Sequence, residues 1–138
     1  MENSSLLIKS EENKKAAELL ASNSMYIAAT SRAYYSLYQK VLHIIDTHPL
    51  LEIAQNGDGI KGPHELNISR FELLTLKAHG VYKGQKVVTD LRFLKDVRKS
   101  CDYEKDFTLT SQKYKKQVEK KLLDVYGILE AYCNPEKG

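Results

Sequence analysis

Tryptophan is absent from the 138 residues, cysteine occurs twice and proline three times. Cys101 and Cys133 form no C-x-x-C pair, so neither a disulfide framework nor a zinc ribbon has support. The first residues, MENSSLLIKSEENKK, lack the basic start and apolar run of a secretory signal, and the expectation is a reducing, cytoplasmic setting. No apolar run approaches the roughly 20 residues that cross a bilayer, so no membrane contact is expected. No stretch alternates apolar and polar residues with a period of two, which removes the strand signal. The four histidines, His43, His48, His64 and His79, stand in no E-x-x-H or H-x-x-x-H arrangement, and no G-x-S-x-G is present. A metal, a cofactor and a serine nucleophile are therefore not expected.

The residues that are present read as helix. Hydrophobic residues make up 42% and charged residues 28%, enough apolar surface for a folded core and too much for a disordered chain. The length suits one domain over residues 1–138. Pro49 and Pro63 bracket PLLEIAQNGDGIKGP, the one region dense in turn signals, so a loop is expected over 49–63. Before it, helices are expected from Ser5 to Ser22 and from Ser24 to Thr47, parted by the weak helix formers SNS. After it come a short helix from Ser69 to Ala78, another from Gln85 to Cys101, and a long one from Ser111 to Asn134. The fold class is all-α, an up-and-down bundle of four or five helices. GDGIKG matches G-x-G-x-x-G, but a helix precedes it and Pro63 breaks the chain directly after it, so it reads as turn chemistry and no dinucleotide site.

The last helix carries one clean seam, Tyr114, Val118, Leu122, Val125, Leu129 and Tyr132, opposite a face of lysines that includes Lys113, Lys115, Lys116 and Lys120. The second helix differs. Ile27, Tyr34, Leu37, Val41 and Ile44 form one apolar stripe, and Met25, Ala28, Tyr35 and Leu42 a second, which places the helix at the centre of the bundle. Arg32 falls on the second stripe, where a partly desolvated guanidinium needs a carboxylate or carbonyl partner. On the fourth helix, Arg98 completes the inward seam of Val87, Leu91, Leu94 and Cys101. Asp102 comes one turn later as an ion-pair partner for either arginine, and Tyr103 offers a hydroxyl to cap the cluster. Two readings stay open: an ion pair that fixes helix register, or an anion site.

Three segments together carry a resemblance. YIAATSRAYYSLYQKV on the central helix, GPHELNISRFELL after the loop and LRFLKDVRKSCDYEKDF before the last helix resemble the HEPN superfamily, in the branch with SRAYY and R-x-x-x-D-Y motifs, over residues 12–132. The resemblance implies a homodimeric helical bundle of a bacterial or archaeal toxin–antitoxin or defence system, beside a nucleotidyltransferase, with RNA as a ligand. It also implies that Arg32 is held by Asp102. Nucleases of that superfamily use an arginine and a histidine four to six residues apart; here Asp102 and Tyr103 come after Arg98 instead, so whether the chain is an enzyme stays open. The leading expectation is a nucleotide or RNA site made of Arg32, Tyr35, His64, Arg98, Asp102 and Tyr103. The alternatives are a divergent metal-independent ribonuclease with Arg98 and His64 as its catalytic candidates, and a non-catalytic protein-interaction module.

Overall fold

The computed structural model describes residues 5–47, 62–79 and 81–133. Every regular element among them is helical. They are α1 (Ser5–Ser22), α2 (Tyr26–Thr47), α3 (Gly62–His79) and α4 (Val81–Tyr103). A fifth helix, α5, starts as Ser111–Lys113, passes through a π-helical segment at Tyr114–Glu119 and runs on as Lys120–Cys133. The loop expected over 49–63 lies outside the described residues up to position 61.

The turn between α1 and α2 has a defined geometry. Ser24 takes φ 61°, the left-handed region, while its amide donates to the Ala21 carbonyl at 3.0 Å and the Met25 amide donates to the Leu20 carbonyl at 2.8 Å. This is the Schellman end of a helix, usually built on glycine and here on serine. It folds α1 back onto α2. Small residues let the two helices approach closely: Ser10 Oγ donates to the Ser36 carbonyl and Ser36 Oγ donates to the Ser10 carbonyl, both at 2.7 Å. Each hydroxyl satisfies itself on the other helix's backbone, so burying the pair leaves no orphaned donor.

The expected start of α3 at Ser69 is corrected. The helix begins at Gly62, directly after the glycine-rich stretch. Proline in a first turn lacks only an N–H that has no helical partner there, and Glu65 in the same turn suits the positive end of the helix dipole. Pro63 therefore opens the helix it was expected to delay.

The core lies around α2, which packs on α1, α3, α4 and α5. Tyr34, Leu37, Val41 and Ile44 of α2 meet Ile68 and Phe71 of α3, Leu91 and Leu94 of α4, and Val118, Val125 and Leu129 of α5. Each such side chain contributes about 1.5–3 kcal/mol on burial. The α5 seam is inward as its spacing implies, with Tyr132 half-buried at its end. The second α2 stripe is inward only at Tyr35 and Leu42, which pack against the core. Met25 is 53% exposed and Arg32 is exposed, and both line the wall of a groove. Among the described residues no helix is long and apolar enough to cross a membrane.

Candidate functional site

The site begins at the first turn of α3. Glu65 Oε1 accepts from Arg92 Nε and its Oε2 from Lys95 Nζ, each at 2.8 Å, so α4 grips the start of α3. Burial raises the Glu65 carboxyl, but the Lys95 and Arg92 contacts outweigh it and hold the group below its ordinary range. This clamp positions the neighbouring residue, His64, against α2.

There His64 meets a platform of rings. Its imidazole stacks on Tyr38 with centroids 4.1 Å apart and planes 9° from parallel, and stands edge-on to Tyr35 at 6.1 Å. Nδ1 lies 3.0 Å from the Tyr34 hydroxyl. Burial lowers the His64 pKa below its ordinary value, and the nearby Arg98 and Lys95 cations lower it further. Burial pushes the Tyr34 phenol well above its usual range. A neutral imidazole and a protonated phenol fit together as Tyr34 donating to Nδ1, which leaves the proton of the ring on Nε2. Asn67, one helical turn after His64, donates from Nδ2 to the Tyr38 hydroxyl at 3.0 Å.

Arg98 lies behind the same rings. It is 6% exposed, with its guanidinium carbon 5.2 Å from the Tyr34 ring centroid and 5.4 Å from that of Tyr35. Cation–π contacts of this kind contribute on the order of 1–2 kcal/mol when desolvated, less than a buried charge needs. Its hydrogen bonding is sparse. Nη1 donates to Asp102 Oδ2 at 3.4 Å, longer than the usual 2.7–3.2 Å, and Nε has no partner among the described residues. A guanidinium has five N–H donors, so a buried one in this state carries unused capacity for an anion.

Four of the residues singled out in the sequence therefore come together: Tyr35, His64, Arg98 and Asp102. Two do not join them. The Arg32–Asp102 pair does not form: Arg32 is exposed and donates to Asn13 Oδ1 of α1 at 3.4 Å, while Asp102 turns to Arg98 one helical turn away. Arg32 keeps a place beside Tyr35 and Asp102 on the wall of a groove of about 820 Å³. Tyr103 is 77% exposed at the end of α4, where the chain leaves the helix, and caps nothing. Reading from sequence missed Tyr34, Tyr38 and Asn67. Their signal was present, since Tyr34 and Tyr38 are one turn apart on α2 and Asn67 one turn from His64, but only tertiary contact says that all three tyrosines meet His64 and in what way each does.

Cys101 lines the same groove with a thiol that burial and the Asp102 charge push up to about 11, which keeps it unreactive. His79 and Cys133 have side chains outside the described set. Among the described residues no three His, Cys, Asp or Glu side chains are grouped to hold a metal ion. Fold and site together define a class, an all-helical bundle with an arginine–tyrosine–histidine cluster between its second, third and fourth helices. No protein-family model, curated protein or solved structure matches the chain.

Proposed function

We propose that the protein is a HEPN-like domain that recognises a nucleoside phosphate, free or within single-stranded RNA, at the Arg98–Tyr35–His64 cluster. The observation that carries this reading is the buried Arg98 guanidinium, which among the described residues has no partner for Nε and one hydrogen bond, a long one to Asp102. The planar fork of arginine matches phosphate geometry, and tyrosine faces accept bases of any sequence. The setting that goes with this reading is a cytoplasmic toxin–antitoxin or defence system, with the chain as a homodimer beside a nucleotidyltransferase.

Titrating adenosine 5′-monophosphate and a labelled oligouridylate into wild type, Arg98→Ala and Arg98→Lys tests it. Binding by wild type, weakened at least about tenfold in both variants, is expected, since lysine keeps the charge and loses the fork. Absence of binding by folded wild type, or affinity indifferent to both changes, removes the reading.

A second reading rests on His64. Burial keeps the imidazole neutral, the form a general base needs at neutral pH, and the Tyr34 hydroxyl has to leave Nδ1 before that nitrogen can take a proton. If the domain is a ribonuclease, wild type degrades total RNA without added metal and His64→Ala does not. RNA left intact by wild type rejects this second reading and leaves the binding reading standing.

A further inference from the structure

We infer that the nucleoside part of the ligand lies in the groove between the start of α2 and the chain leaving α4, with its phosphate taking the place that the Asp102 carboxylate holds on Arg98. This rests on the proposed reading of the cluster and names its second half. The groove has a volume of about 820 Å³, within the roughly 300–1,000 Å³ usual for small-molecule sites. Its walls divide by chemistry. Met25 before α2, Ile27 and Ala28 of α2 and Leu109 of the α4–α5 connection give the groove apolar surface, Ser24, Ser31 and Thr108 add hydroxyls, and Arg32 and Asp102 are its charged lining.

Asp102 belongs to both places. It lines the groove and it is the acceptor for Arg98, whereas Arg98 itself does not line the groove. The carboxylate therefore stands between the groove and the buried guanidinium. Its hold is weak, a single contact of 3.4 Å between residues one turn apart, with the Asp102 side chain 28% exposed. Arg32 is held no better, by one contact of 3.4 Å to Asn13. Two loosely engaged guanidiniums thus lie at this groove, Arg32 in its wall and Arg98 behind the Asp102 carboxylate. A phosphate brings more acceptor oxygens than a carboxylate and is suited to bidentate contact, so it competes for both arginines. Asp102 acts as an internal occupant that any phosphate must displace, and its charge opposes ligands that lack the strength to do so.

The test is Asp102→Asn, which keeps the shape and removes the charge. Affinities of wild type and variant are measured for adenosine 5′-monophosphate, for adenosine and for a labelled oligouridylate, with circular dichroism confirming that both fold. The expected result is phosphate-bearing ligand bound about tenfold tighter by the variant, the order expected from removing a like charge a few ångströms away, with adenosine unchanged. A gain confined to the mononucleotide assigns the groove to free nucleotides, and one confined to the oligouridylate assigns it to RNA; either supports the inference. Binding by wild type that the variant does not improve, or an equal gain for adenosine, overturns this inference and leaves the Arg98 reading intact. No phosphate-dependent binding by either protein overturns both.

Discussion

The two sides of α2 make opposite use of buried polarity. Toward α1, Ser10 and Ser36 exchange hydrogen bonds at 2.7 Å, and Ala17, Ala29 and Ala33 lie buried in the same layer. Toward α3 and α4, Tyr34 and Tyr38 meet a neutral histidine and a nearly buried arginine whose Nε is unpaired among the described residues. The first contact is closed, with small residues and both serine hydroxyls matched, although the buried Tyr126 hydroxyl of α5 beside it has no partner among the described residues. The second is bulky, charged and incompletely matched. Folding accounts for the serine pair, whereas the second face retains a buried charged donor with no partner among the described residues, and such unfinished polar clusters are where function is sought.

The contrast between the faces breaks most sharply at Ser36. Ser36→Leu puts a large side chain between two helices in close approach and removes the hydroxyl that donates to the Ser10 carbonyl, so a loss of about 3 kcal/mol in denaturant unfolding is expected. A loss below about 1 kcal/mol would mean that the α1 face is not closed. On the other face, Tyr34→Phe keeps the ring and deletes the hydroxyl that meets His64 Nδ1. About 1 kcal/mol of stability should go with it, and the His64 pKa, tracked by NMR, should rise toward its ordinary value as the neutral form loses its donor.

The same histidine gives the two faces different responses to acid. Its folded pKa lies below the unfolded value of about 6.5, so the unfolded chain takes up the proton first and stability declines as pH falls below that value. His64→Gln should flatten that decline in melting temperature between neutral pH and the onset of carboxylate titration. His43, also lowered by burial, remains as the background slope. An unchanged profile in the variant would show that the imidazole is no more buried than in the unfolded chain. The smallest effect is expected at the hinge of the closed face. Ser24→Gly relieves a left-handed serine and should add about 0.5–1 kcal/mol, read as a higher melting temperature, while a drop would point to the Ser24 side chain as part of the turn.

Much of the helical framework was legible in the residues. The α5 seam from Tyr114 to Leu129 and the α4 seam from Val87 through Arg98 lie inward as their spacing implies, since a period near 3.6 leaves little choice once one face must be dry. Pro63 misled because its meaning depends on where the helix starts: it breaks a helix interior and opens a first turn. Arg32 misled for a different reason. Its place on an apolar stripe is a fact of sequence, but whether anything covers that stripe depends on where α4 ends, and α4 ends at Tyr103 beside an open groove.

The sequence by itself determined that this chain is helical, where its main apolar seams run, and that Arg98 falls on one of them, because local periodicity and the cost of exposing apolar surface dictate all three. Only the tertiary structure decided which groups meet: His64 with Tyr34 and Tyr38, Arg98 with Asp102, Arg32 with neither. The physical reason is that contacts between helices depend on their relative placement and ends, and a change of one turn in either exchanges one partner for another.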